Sequence, residues 1–171
     1  MVPSLPTRSS LALAVALVLL ATPAHAQTSD PEILRTVEAA YAGISANADE
    51  TRDWRAFYRL FLPTAQLVNV RGNAEAGFEP RASSVAEWIV QSGLGLAGRG
   101  FVEDLVHSRV EAYGPIAQVF TTWVTRSERG GAVNSRGAAT LQLVHTPDGW
   151  RVASWIWTGQ QQGLPLPGVD Q

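Results

Sequence analysis

The stretch FVEDLVHSRVEAYGPIAQVFTTWVTRSERGGAVNSRGAATLQLVHTPDGWRVASWIWT, residues 101–158, decides the fold. It divides into four runs rich in β-branched and aromatic residues, 101–113, 116–126, 137–146 and 150–158, and turn chemistry marks the boundaries. Gly114-Pro115 joins the first two: glycine accepts a positive φ and proline fixes a negative one, as a tight hairpin needs. Thr146-Pro147-Asp148-Gly149 joins the last two, with proline at the second turn position and glycine closing it. The middle junction, Ser127 to Ser135, is longer and contains Gly130-Gly131. Four long strands connected in this way form an antiparallel meander.

A two-residue loop at Gly114-Pro115 pairs Ala112 with Ala117 and Val110 with Val119. Strict alternation then places Val102, Asp104, Val106, Ser108 and Val110 on one face with Val119, Thr121 and Trp123. The other face carries Phe101, Glu103, Leu105, His107 and Arg109 with Phe120, Thr122, Val124 and Arg126. Both faces are substantially apolar, whereas a sheet face that meets water alternates to polar residues. Helices are therefore expected over one face, and the second subunit of a homodimer over part of the other.

At the N-terminus, residues 1–26 read as a signal peptide. Arg8 precedes an apolar run from Leu11 to Ala21, too short to span a bilayer, and Ala24-His25-Ala26 offers the small residues a signal peptidase accepts. Residues 27–171 then form a single domain beginning at Gln27, periplasmic or secreted, with no membrane insertion after cleavage. Cysteine is absent, which excludes disulfides, thiol nucleophiles and thiolate metal sites. All 13 basic residues are arginine, set against 15 acids with no basic run, so nucleic acid is not an expected partner.

Three helical segments are expected between the signal peptide and the meander. Asp30-Pro31 supplies a cap and a first-turn proline, followed by Ile33, Val37, Tyr41 and Ile44 along one face. From Thr51, Trp54, Phe57, Tyr58 and Phe61 recur at i, i+3, i+4 and i+7, until Pro63. Residues 65–70 read as a strand, with a second short strand around Phe78. Ser84-Val85-Ala86-Glu87 is a capping box opening a third helix that buries Val85, Trp88 and Ile89. The glycines of Gly93-Leu94-Gly95-Leu96-Ala97-Gly98 match a dinucleotide fingerprint by letter. However, they follow a helix and lead into a strand, the reverse of what pyrophosphate binding needs, and read as a flexible connection.

Helix, helix, strand, helix and meander is an α+β order. The chain resembles the nuclear transport factor 2-like superfamily, whose fold is shared by ketosteroid isomerase and the polyketide cyclases. The resemblance lies in Asp53 to Phe61 with Pro63 and Ala65, in Val110 to Phe120, and in Gly149-Trp150-Arg151-Val152. More narrowly, Glu103, His107, Arg136-Gly137, Gln142-Leu143 and the strand from Trp150 to Trp157 look like an exported bacterial branch of unassigned function. Thr64 departs from the aspartate that many members carry. The resemblance implies a cone-shaped curved antiparallel sheet, three N-terminal helices packed on its concave face, a pocket between them, and often a homodimer. The isomerase's tyrosine and aspartate, and the cyclase's histidine and aspartate, have no matching motif positions here.

His107 and Glu103 are the ionisable pair with candidate catalytic roles. Histidine titrates near neutrality, and a carboxylate in an apolar cone has its pKa raised. Four residues along one strand separate them by about 13 Å, which allows action on opposite ends of a ligand but not a hydrogen-bonded dyad. The alternative is structural: Glu103 pairs across the hairpin with Arg126, and His107 packs beside Thr122. Asp104 is either a buried base or a sheet-edge residue reaching solvent. Tyr41, Tyr58 and Trp123 are further pocket candidates, Trp155 and Trp157 share a face on which a flat ligand can stack, and Gln142 can orient it. His107 and His145 offer no metal-ligand spacing, so no metal or other cofactor is expected. The leading expectation is an exported domain binding a small, largely apolar molecule. The alternatives are a cofactor-free acid/base enzyme (isomerase, dehydratase or cyclase) and a non-catalytic dimerisation module.

Overall fold

The computed structural model describes residues 30–169; the expected signal peptide and cleavage site lie outside them. Helix α1, Pro31–Ile44, starts where Asp30 accepts the Glu32 amide at 2.9 Å. Its buried face is Ile33, Val37, Ala40, Tyr41 and Ile44. Each large side chain so buried stabilises by about 2 kcal/mol, against about 1 kcal/mol for the cap, so packing holds this helix. A second bond reinforces the cap, because Trp150 donates its indole N–H to the other Asp30 oxygen at 2.9 Å. This bond, more than the Glu32 amide, holds the Asp30 carboxyl below its usual pKa.

Helix α2, Trp54–Tyr58, is shorter than its aromatic periodicity suggests. Phe61 instead opens strand β1, Phe61–Asn73, and Pro63 falls in the stretch between Phe61 and Gln66 where the ladder is irregular. A missing amide costs least there. Strand β2, Gly77–Ser84, returns antiparallel to β1 around a turn in which Asn73 accepts the Glu75 and Ala76 amides. Helix α3, Val85–Leu96, opens with the expected capping box: Ser84 accepts from the Glu87 amide and the Glu87 carboxylate from the Ser84 amide. Gly93, Gly95 and Leu96 belong to this helix rather than to a flexible connection, and the chain turns only at Gly98, where φ is 63°.

The meander follows as β3 Val102–Tyr113, β4 Ile116–Arg126, β5 Val133–Thr146 and β6 Gly149–Gly159. The six strands form one curved, unclosed sheet in the order β2-β1-β6-β5-β4-β3. The sheet is mixed and not purely antiparallel, because β1 enters beside the last strand and runs parallel to β6. The third helix also follows the β1–β2 hairpin, so among the described residues α1 and α2 alone precede the sheet.

The expected register at the Gly114 hairpin is present, with Ala112 opposite Ala117 and Val110 opposite Val119. Strict alternation does not extend along the whole of β3. Leu105 is opposite Trp123 and His107 opposite Thr122, so Val106 is an extra residue, a β-bulge. One inserted residue exchanges the faces beyond it. Phe101, Glu103 and Leu105 consequently share the helix-covered face with Ser108, Val110, Thr121 and Trp123, whereas Asp104 and His107 lie on the other.

The core lies between α1 and the covered face of the sheet, around Leu67, Val119, Leu141, Leu143 and Val152. Tyr41 crosses it to Thr121, whose hydroxyl lies 2.7 Å from the phenol and donates to the Ala139 carbonyl. An aromatic cluster seals one side: Trp88 of α3 stacks on Phe57 at 5.4 Å and meets Trp54 and Trp157 edge-on.

Candidate functional site

The covered face does not fill completely. A cavity of about 310 Å³ remains between the C-terminal ends of α1 and α3 and the sheet, within the size range of small-molecule sites. Ile44 closes it from α1, and Trp88 and Leu96 from α3. The sheet contributes Leu67 from β1, Trp123 and Thr125 from β4, and Trp155 and Trp157 from β6. Phe101 and Glu103 complete the wall where β3 runs under α1.

Backbone bonds fix the position of Glu103. Ser45, which caps α1, accepts the Glu103 amide at 2.9 Å and donates to the Tyr41 carbonyl at 2.8 Å. One residue pair earlier, Ala46 and Phe101 exchange backbone hydrogen bonds at 2.8 and 2.9 Å. The Glu103 side chain retains accessible surface because it lines the cavity. Among the described residues no group hydrogen-bonds or ion-pairs with its carboxyl. Burial alone pushes its pKa up to about 8, because low-dielectric surroundings penalise the charged form.

The arginine expected to pair with Glu103 pairs with its neighbour. Arg126 donates from Nε to Asp104 at 2.9 Å on the opposite face, where Asp104 is about half exposed. Asp104 is thus the solvent-reaching member of an ion pair, and the bulge is the reason, since it turns Glu103 inward and Asp104 outward.

The other candidates separate into three groups. Trp123, Trp155 and Trp157 line the cavity with Glu103. Tyr41 is buried in the adjacent core; its pKa is raised, chiefly by burial, with the Glu103 charge adding to the effect. The Trp155 indole N–H lies near enough to the phenol to stabilise its anion without meeting hydrogen-bond geometry, and its nitrogen is otherwise unpaired. His107, Gln142 and Tyr58 are away from the cavity. His107 lies on the opposite face of β3 beside Thr122, where Gly168 of the C-terminal segment packs so closely that a Cβ there would fall 2.7 Å from the histidine Cβ. Gln142 lines an open groove of about 590 Å³ on that same face, with Tyr113, Ile116 and Gln118. Tyr58 is exposed on α2. The groove is larger, but it lacks a desolvated ionisable group and is open to solvent.

Ile44, Leu67, Trp88, Leu96, Phe101, Thr125 and Ser135 line the cavity in addition to the residues expected from the sequence. The capping box fixes the phase of α3 and points Trp88 inward, which is the one signal available beforehand. Gly137 has a role of its own. A Cβ there would lie 2.3 Å from the Trp123 ring and 2.2 Å from the Thr158 carbonyl, so only glycine lets that indole lie across β5. Among the described residues no cluster of histidines and acids is arranged to hold a metal ion.

No protein-family model matches this chain, and no curated protein matches it. Solved structures do. An NTF2-like protein with a cystatin-like fold from Novosphingobium aromaticivorans superimposes with a TM-score of 0.54 at 19% identity, over 77% of this chain and 79% of that one. An NTF2-like family member from Streptomyces avermitilis, described as a proposed dehydratase, gives 0.57 at 19% identity over 76% and 94%. A protein of unknown function with a cystatin-like fold from Nostoc punctiforme gives 0.58 at 10% identity over 79% and 92%. The class is therefore an α+β protein with the NTF2-like, cystatin-like fold. At these identities the likeness defines the fold alone.

Proposed function

We propose that this protein binds a small, largely apolar molecule in the cavity bounded by α1, α3 and the curved sheet, the narrowing interior of a cone. The observation that carries this reading is a recess of about 310 Å³ walled by indole and aliphatic side chains, with one ionisable residue, Glu103, on its lining. Ordinary core packing leaves few voids larger than a water molecule, and an unpaired carboxyl lining such a space is costly unless a ligand uses it. We further propose that the domain is exported and pairs with a second copy through the uncovered sheet face.

A second reading, a cofactor-free acid/base enzyme, draws support from the Glu103 pKa of about 8. Such a group carries its proton at neutrality and can exchange it with a substrate. The Streptomyces protein with this fold is described as a proposed dehydratase. Binding leads because Glu103 has no acid/base partner on the lining: His107 faces away and the Tyr41 phenol is occupied by Thr121. The test is quenching of tryptophan fluorescence by naphthalene in the parent and in Leu96→Trp, which fills the rim from a half-buried position. Saturable quenching that Leu96→Trp abolishes is expected. Quenching that ignores the substitution places the ligand elsewhere and ends this reading.

A further inference from the structure

The chemistry of the cavity wall restricts the charge its occupant can carry. Trp88, Trp123, Trp155 and Trp157 supply electron-rich ring surfaces, and Glu103 is the single ionisable group on the lining. The indole nitrogens of Trp123 and Trp155 are buried away from the lumen, so these rings meet an occupant through carbon and π surface rather than as N–H donors. Two further polar groups, the hydroxyls of Thr125 and Ser135, bond each other. Among the described residues no basic side chain lines the space. The Arg52 guanidinium, behind the rim, is occupied by the carbonyls of Ile44, Leu96 and Phe101.

An anionic occupant would meet a carboxyl and ring quadrupoles with nothing to offset its charge. A neutral hydrocarbon would leave Glu103 desolvated and unpaired. A cation answers both features, since indole faces attract positive charge most strongly when desolvated and a carboxylate without a counter-ion receives one. Resting on the reading of the cavity as a ligand site, we propose that its ligand is a small organic cation. An amine or quaternary ammonium group on a largely apolar body would seat its nitrogen among the indoles against the Glu103 carboxylate.

Such binding is coupled to protonation. Around Glu103, α1 presents the Tyr41 phenol and the Ser45 hydroxyl, α3 presents Trp88 and Leu96, and β4 presents Trp123 and Thr125. The phenol, with its pKa raised, keeps its proton throughout the neutral range, so Glu103 is the group that titrates. Below its pKa of about 8 a bound proton competes with the cation, and affinity for a permanently charged ligand rises with pH until Glu103 is ionised.

The experiment titrates the mature protein with benzyltrimethylammonium and with its uncharged isostere neopentylbenzene, reading tryptophan fluorescence at pH 6 and pH 9. At the higher pH the cation is expected to bind at least about tenfold more tightly than the isostere, with the preference shrinking at the lower pH. Glu103→Gln should cut the preference to what the indole faces alone supply and remove its dependence on pH. Trp157→Leu, at a half-buried rim position, should weaken the cation more than the isostere. Equal binding of the two probes, or a preference undiminished by Glu103→Gln, overturns the cation proposal and leaves apolar binding standing. Failure of both probes to bind overturns the ligand reading beneath it.

Discussion

Glu103 concentrates the energetics of the site in one residue. Its folded pKa of about 8 lies above the ordinary glutamate value of 4.5, so the folded state holds a proton that the unfolded chain has released between those two values. The sign follows from linkage: stability from this group is full below about pH 4.5, declines as pH rises, and is lost above about pH 8. A few kcal/mol at most is involved, because one pKa unit corresponds to about 1.4 kcal/mol. Glu103→Gln is neutral at every pH and should flatten that decline, so its melting temperature should exceed the parent's increasingly from pH 5 to pH 8. Parallel melting profiles for the two proteins would mean that water or a counter-ion already solvates the carboxyl.

At the scale of elements, two devices shape the cavity. The first is the bulge at Val106, which aims Glu103 inward while leaving the hairpin register intact. The second is Arg52, whose guanidinium reaches the carbonyls of Ile44 at 2.8 Å and of Leu96, Ala46, Arg99 and Phe101 at 3.3 Å. Ile44 and Leu96 end α1 and α3, whose last carbonyls lack helical partners, and with Phe101 they form the rim. Desolvation lowers the Arg52 pKa, yet arginine stays charged at any accessible pH. Lysine has one nitrogen and cannot reproduce the fan. Arg52→Lys is therefore expected to cost about 2 kcal/mol and to speed hydrogen exchange at the α3 terminus. Unchanged melting and exchange would show that water replaces the guanidinium without loss.

On the scale of the whole molecule, the uncovered face of the sheet is the surface on which the proposed association rests. It carries exposed Ile116 and Ile156 with half-buried Phe120 and Val144, interspersed with Gln118 and Gln142. The C-terminal segment packs over the part near His107, where Gly168 lies. The proposed homodimer should scatter light as two mature chains at micromolar concentration, and Ile156→Glu should convert it to a monomer. A parent that is already monomeric removes the dimer. Export is tested separately: N-terminal sequencing of periplasmic protein should begin at Gln27, and a chain still starting at Met1 contradicts cleavage. No helix among the described residues is long and apolar enough to cross a membrane.

The sequence by itself determined the elements whose causes are local. The Asp30-Pro31 start, the Ser84-Glu87 capping box, the Gly114-Pro115 hairpin and the four meander strands each depend on neighbours within a few residues, and all stand in the structure. Three of the cavity-lining residues, Trp123, Trp155 and Trp157, were legible in the sequence, the last two from alternation along a regular stretch of β6. Tertiary structure decided whatever depends on distant partners. Parallel pairing of β1 with β6 joins residues about ninety positions apart in the chain, and no local pattern specifies it. The side on which Glu103 and His107 project depends on one extra residue at Val106. That residue is visible only once β4 fixes the ladder, because a one-residue slip inverts every later side chain while leaving the composition unchanged.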